Sequence, residues 1–259
     1  MAPTDARLTD IATEAGRLLV RIREERPRLH VLTSPVAARR SADVLNAVGA
    51  IPSMTARVRD VVDFVGSARA LVVNLGMLDA ERESASQLAA AHAARSGLPW
   101  VLDPVKVEQS GARAAFARTL LALRPTVLRL NRAELARLAG GAEPEAARAF
   151  AARHGTVVAA TGPVDLVCDG VRTLSIANGT PLLDHLTAAG CALSALTGAF
   201  LAVCEDPFTA AASALLVYGV AAEVAAEHAS GPGTLEGHLL DRLWSITPQT
   251  IRERARIPS

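Results

Sequence analysis

Lysine is almost missing from this 259-residue chain: Lys106 is the only one, and the remaining strongly basic side chains are arginine. A Walker-A phosphate loop needs Gly-Lys-Ser/Thr preceded by an earlier glycine. Lys106 stands instead in Asp103-Pro-Val-Lys-Val-Glu108, so that loop is excluded. Aromatic residues make up only 3%, too few for a platform that stacks bases. The formal net charge is +1, without the basic surplus of a phosphate-backbone binder, and no nucleic-acid partner is expected. The three cysteines, Cys168, Cys191 and Cys204, form no CxxC pair, which argues for reduced thiols, a cytoplasmic setting and no structural zinc. No run of about 20 uninterrupted apolar residues occurs, so no membrane-spanning helix is expected. The first residues lack the charged and apolar regions of a signal peptide. Neither a Gly-x-Ser-x-Gly elbow nor a Gly-x-Gly-x-x-Gly turn after a strand is found, which leaves hydrolases and nicotinamide dehydrogenases without support.

Apolar residues are abundant, at 50% of the chain, enough for one large domain with a full core. Residues 5–26 carry Leu8, Ile11, Ala12, Ala15, Leu18, Leu19 and Ile22 at helical spacing. Short apolar runs then alternate with longer helical patterns. Strands are predicted at 29–33, 51–54, 70–75, 100–102 and 126–130, with helices at 35–48, 58–68, 79–96, 111–123, 131–138 and 143–153. Short strands at 156–160, 165–168 and 171–176, separated by Gly-Pro and Asp-Gly turns, read as an antiparallel ribbon. Long Ala-rich helices follow at 190–204 and 207–228, and more helix at 234–256. The expected fold class is α/β, a single domain spanning 1–259, with a mainly parallel sheet and helices on both faces. Ligands of such sheets bind beyond the carboxyl ends of the strands, which turns attention to Thr33, Met54, Asn74, Asp103, Asn131 and Thr161.

Four segments carry possible chemistry, and each also has a plain structural reading. In Thr187-Ala-Ala-Gly-Cys191, a turn containing Gly190 precedes a long helix. Free amides and the helix dipole at such an end attract anions and lower a thiol pKa; otherwise Thr187 is a cap and Cys191 a small buried residue. Asp103 before Pro104 is either a magnesium ligand or the opener of a turn. Asn131 and Glu134 fit a capping box, or else Glu134 lies near a metal and Arg129 near phosphate oxygens. Thr161-Gly162 either donates a hydroxyl to a phosphate or turns a hairpin.

In this order the segments resemble hydroxyethylthiazole kinase, of the ribokinase-like superfamily, over about residues 28–245. The resemblance is carried by Leu32-Thr-Ser-Pro-Val-Ala-Ala38, Val72-Val-Asn-Leu-Gly76, Val101-Leu-Asp-Pro-Val105, Ala160-Thr-Gly-Pro-Val-Asp165, Thr187-Ala-Ala-Gly-Cys191, Tyr218-Gly-Val-Ala-Ala222 and Gly231-Pro-Gly-Thr234. It implies a three-layer α/β/α fold, a homotrimer with sites between subunits, and Mg²⁺-ATP as phosphoryl donor to the primary alcohol of a hydroxyethylthiazole. By position, Met54, Ser34, Val36 and Ala188 would meet the thiazole. Arg129 and Thr161 would meet ATP, and Asp103 and Glu134 would organise Mg²⁺. Gly190 would belong to the anion hole and Cys191 to the base position. Departures from the family pattern fall at Ser34 for asparagine, at Lys106 to Ser110 for a glycine-rich turn, at Leu130, at Pro163 and at Ala188 for glycine. They keep open a non-catalytic relative that binds nucleotide or thiazole, and a kinase for another small alcohol.

Overall fold

The computed structural model describes residues 3–258, with side chains from Ile11 onward. Leu8, assigned above to an apolar helix face, lies outside the described side chains. The chain begins with α1 (Pro3–Glu25), followed by β1 (Arg28–Leu32), α2 (Pro35–Ala47) and β2 (Ile51–Ser53). Next come α3 (Val61–Gly66), β3 (Ala70–Asn74), α4 (Ala80–Ser96), β4 (Trp100–Asp103) and α5 (Gly111–Leu121). Then follow β5 (Val127–Asn131), α6 (Arg132–Ala139), α7 (Pro144–His154), β6 (Val157–Thr161), β7 (Asp165–Cys168) and β8 (Thr173–Ile176). A 3-10 turn (Pro181–His185) leads to α8 (Ala189–Leu201), α9 (Pro207–Ala226), α10 (Pro232–Ser245) and α11 (Pro248–Arg254).

Local chemistry sets many of these boundaries. Ser34 caps α2 by accepting from the Ala37 N–H, with Pro35 opening the helix. Asp79 caps α4, and Gly97 ends it in the left-handed conformation. Asp206 and Pro207 open α9 in the same manner as Ser34 and Pro35.

All eight strands join one sheet in the order β2-β1-β3-β4-β5-β6-β7-β8. The pairs from β2 to β6 are parallel, and β7 and β8 add the predicted antiparallel ribbon. Alternation along each strand feeds two cores. Leu29, Val31, Val72, Val101, Val127 and Ala159 pack with α1, α2 and α8 to α11, while Leu32, Leu71, Val73, Leu102, Leu128 and Val158 pack with α3 to α7. This is the expected three-layer arrangement. The same alternation places Asn74, Asp103, Arg129 and Thr161 on the face covered by α8, at the carboxyl ends of β3 to β6.

The differences from expectation are informative. The predicted helix at 58–68 shrinks to α3 because 58–60 form a turn before it and the helix ends at Gly66. Gly190 does not sit in the turn before α8. It is the second residue of that helix, and Ala188 holds the turn in the left-handed conformation with no side-chain cap, so Thr187 is not the cap either. Helix α9 is long and apolar enough to cross a membrane by composition alone, yet 83% of its most apolar window is buried inside the protein. Its Ala, Leu and Val face other elements on all sides, as expected of a core helix.

Candidate active site

Strand β4 ends at Asp103, which is paired in register with Asn74 of β3. Asp103 is 1% exposed. A carboxylate so far from water requires donors, and it has them. Its Oδ2 accepts from Asn74 Nδ2 at 2.8 Å and from Ser194 Oγ at 2.6 Å. Arg129 Nη1 lies 3.6 Å away, and Oδ1 receives only a long contact of 3.4 Å from the Val105 N–H.

Arg129, buried on β5, links Asp103 to the start of α8. Its Nη2 donates to Thr161 Oγ1 at 2.9 Å, and Thr161 donates onward to the Leu130 carbonyl at 3.3 Å. Arg129 Nε has no acceptor among the described residues. The guanidinium lies so close to Gly190 that a β-carbon there would sit 2.6 Å from Nη1 and 2.7 Å from Nη2. Around it, the Ala189 N–H is tied to the Leu186 carbonyl at 3.2 Å. The N–H groups of Gly190 and Cys191, next in the helix, have no acceptor among the described residues. A fixed cation, an orphaned N–H and two free helix-start amides thus converge, a combination suited to an anion.

This cradle closes one end of a cavity of about 580 Å³. Arg129, Asn131, Thr161, Gly162 and Asp165 line it from the sheet side, and Ala177 to Pro181 line it from the loop after β8. Helices α8 and α9 contribute Gly190, Leu193, Leu215, Tyr218 and Gly219. Burial pushes the Asp165 carboxyl up to about 6, with Gly162, Arg129 and Arg132 opposing. Tyr218, fully enclosed, donates its hydroxyl to the Ala189 carbonyl at 3.2 Å and so steadies the first turn of α8.

Glu134 fulfils its capping reading and also reaches the turn after β4. It completes the capping box with Asn131: its Oε2 accepts from the Asn131 N–H at 2.8 Å, while Oε1 accepts from the Lys106 N–H at 2.6 Å. Burial and the charge of Asp103 push its pKa up. The turn after β4 has backbone angles suited to glycine. Val105 has φ 25° and Lys106 φ 58°, held by Glu134 on one side and by Arg113 Nη1 on the Val105 carbonyl at 2.7 Å.

Cys191 requires a correction. A helix start was expected to lower its thiol pKa. Burial, together with the neighbouring charge of Asp103, instead pushes it up to about 11, and the Asn74 side chain offsets only part of this. Desolvation and a like-signed neighbour outweigh the helix dipole here.

The remaining predicted residues lie on another flank of the same sheet end and do not line the cavity. Ser34 follows β1, buried, with its hydroxyl engaged as the α2 cap. Val36, in the first turn of α2, is 56% exposed. Met54 follows β2 and packs against the core. Ser34 and Asn74 sit where strand order reverses between β1 and β3, the switch point at which open α/β sheets bind ligands. A β-carbon at Gly76 would contact both of them. Sequence reasoning gave Asn74 no role and missed Ser194 altogether, because its partner Asp103 is 91 positions away.

The sequence matches the hydroxyethylthiazole kinase family over residues 19–249. The chain belongs to that family. It is 44% identical, over 95% of each chain, to a probable hydroxyethylthiazole kinase of Agrobacterium fabrum. A hydroxyethylthiazole kinase structure from Pyrococcus horikoshii superposes with a TM-score of 0.91 at 37% identity, covering 94% of this chain and 98% of that one. A ribokinase-like superfamily protein from Enterococcus faecalis shares the fold, at a TM-score of 0.67 and 13% identity, covering 87% of this chain and 89% of that one. In this hydroxyethylthiazole kinase family member, Arg129 lies between Thr161, Gly190 and Asp103, with Glu134 close to Asp103.

Proposed function

We propose that this chain transfers the γ-phosphoryl group of ATP to the primary alcohol of 4-methyl-5-(2-hydroxyethyl)thiazole. The observation that carries the reading is the cradle of Arg129 and the free Gly190 and Cys191 amides at the head of a nucleotide-sized cavity, in a member of this family. Phosphoryl transfer is mainly a matter of positioning and charge stabilisation. The α8 amides and Arg129 stabilise charge on the oxygens of the moving group, and Thr161 orients Arg129. The cavity between Gly162 and Asn178 holds the rest of the nucleotide. Ser34, Val36, Met54 and Ala188 hold the thiazole, and Cys191 Sγ, in its minor thiolate form, accepts the alcohol proton late in the reaction and becomes the thiol.

Mg²⁺ bound with nucleotides commonly takes one or two protein carboxylates together with phosphate oxygens and water. Asp103 and Glu134 fit that mode: both are buried, the charge of Asp103 already bears on Glu134, and Asp103 Oδ1 is only weakly engaged. Among the described residues no group of three His, Cys, Asp or Glu forms an all-protein cage. When bound, the ion supplies positive charge against the phosphate oxygens.

A homotrimer agrees with the exposed Val36, Met77, Val58 and Phe64, and the three free cysteines agree with a cytoplasmic setting. The test is turnover of Mg-ATP with the thiazole alcohol and a panel of other small primary alcohols, alongside thermal shifts with each ligand. Phosphorylation of the thiazole alcohol above the panel is expected. Absence of Mg-ATP-dependent turnover with every alcohol would overturn the reading.

A further inference from the structure

One wall of the cavity has no secondary structure of its own. Residues Ala177, Asn178 and Gly179 follow β8 as irregular backbone and line the cavity. Buried irregular backbone must find partners for its polar groups, and here they come from far along the chain. The Ala177 N–H donates to the Arg256 carbonyl at 2.8 Å, and Arg256 Nη2 donates to the Ala177 carbonyl at 2.8 Å. Asn178 Oδ1 accepts from the Arg256 N–H at 2.7 Å, while its Nδ2 donates to the Arg254 carbonyl at 2.8 Å and to Glu223 Oε2 at 3.0 Å. Glu223 Oε1 accepts from the Gly179 N–H at 2.7 Å. The Arg256 guanidinium closes the ring on both Glu223 oxygens, with Nη1 at 3.2 Å from Oε2.

Helix α9 presses on the same segment. A β-carbon at Gly219 would stand 2.6 Å from the Asn178 carbonyl oxygen. Gly219 lines the cavity, whereas Glu223, one helical turn further on, does not, and neither does Arg256. The segment is therefore fixed between α9 and residues 254–256.

We propose that Glu223 and Arg256 are positioning residues that set nucleotide affinity by holding the Asn178–Gly179 wall in its binding shape. The proposal rests on the reading of this cavity as the ATP site. A wall held before the ligand arrives spares the binding step its ordering cost. The Glu223 side chain is 11% exposed and accepts four hydrogen bonds, whereas the Arg256 side chain is 55% exposed, so the hold on the wall comes from this fourfold hydrogen-bonded geometry more than from the strength of the ion pair. Neither residue lines the cavity or makes a hydrogen bond or ion pair with Arg129, Gly190 or Asp103 among the described residues, so the chemical step should not depend on them once nucleotide is bound.

The experiment compares steady-state kinetics of the full chain with Arg256→Ala, Arg256→Lys and Glu223→Gln, varying ATP and alcohol separately. Expected is a rise of about tenfold in KM for ATP in Arg256→Ala and Glu223→Gln, with kcat and the KM for alcohol within about twofold of wild type. Arg256→Lys should recover part of the loss, because a lysine restores the charge but not the fork. ADP titration by calorimetry repeats the comparison without turnover. If Arg256→Ala fails to fold, Glu223→Gln, which keeps its shape but replaces one of its two acceptor oxygens with an NH2 donor, decides. An unchanged KM for ATP, or equal losses in kcat and both KM values, would overturn the proposal. If wild type itself neither binds ADP nor turns over Mg-ATP, it is the assignment of the cavity to ATP that fails.

Discussion

Gly190 and the guanidinium of Arg129 occupy space that a single methyl group would contest. A β-carbon on Gly190 would lie 2.6 Å from Nη1, 2.7 Å from Nη2 and 3.0 Å from Cζ. Real β-carbons do not approach other atoms so closely, so Arg129 would have to leave its place between Asp103 and Thr161. Gly190→Ala keeps every backbone amide and favours the helix by about 1 kcal/mol on propensity. Any loss of function would therefore report the displaced cation. The expected outcome is a fall in kcat/KM for Mg-ATP of roughly 10²-fold, the scale of a misplacement of about 1 Å in a positioned site. Wild-type kcat/KM in this variant would show that the contact with Arg129 is irrelevant to catalysis.

Ala188 sets the opposite problem. It adopts φ 62° and ψ 19° where α8 begins, a conformation that costs an L-residue roughly 1–2 kcal/mol. Ala188→Gly should raise stability by about 1 kcal/mol, read as a shift in the urea midpoint at constant slope. The same change removes a methyl group beside the cradle. Turnover should rise if that methyl narrows the anion site, and an unchanged kcat would count against a damaged cradle.

Much of this arrangement was legible from local patterns. Short apolar runs marked the strands, and Asn131 with Glu134 announced a cap that the structure contains. The Gly-Cys segment pointed to a helix start with free amides, which the structure contains at Gly190 and Cys191. What stayed hidden depends on pairs far apart in the chain. Ser194 reaches Asp103 across 91 positions, and Arg256 reaches Asn178 across 78. Neither residue has a local signature, because serine inside a helix and arginine near a helix end are ordinary choices until the fold supplies their partners. The thiol of Cys191 was misread for a related reason. The helix start is visible in the sequence, but the Asp103 charge and the burial that dominate it are not.

The elevated thiol pKa has a kinetic consequence. With Cys191 near 11, only about one molecule in a thousand carries a thiolate at pH 8. If the thiol takes the alcohol proton, kcat should climb with pH between about 7 and 9 when chemistry limits the rate. Cys191→Ala should slow turnover by about 10²-fold or more, flatten that climb and leave ADP binding intact. A Cys191→Ala enzyme with wild-type kcat would remove the base role. A parallel pH climb in both proteins would assign it to another group.

Asp165 links the cavity to stability. Its carboxyl titrates near 6 in the folded chain because burial disfavours the charge, against the 3.8 of an ordinary aspartate. Between those values the folded state holds a proton that the unfolded state has released, so stability falls as pH rises from about 4 to about 6. Asp165→Asn removes the titration while keeping an oxygen that can accept from the Gly162 N–H, now 2.9 Å from Oδ1. Urea unfolding of the nucleotide-free protein at pH 4.5 and 6.5 should therefore show a smaller pH-dependent loss in the variant, and the variant should be the more stable protein at pH 6.5. Identical pH slopes would mean that Asp165 is solvated well enough to ionise normally, and that the cavity floor is wetter than its packing implies.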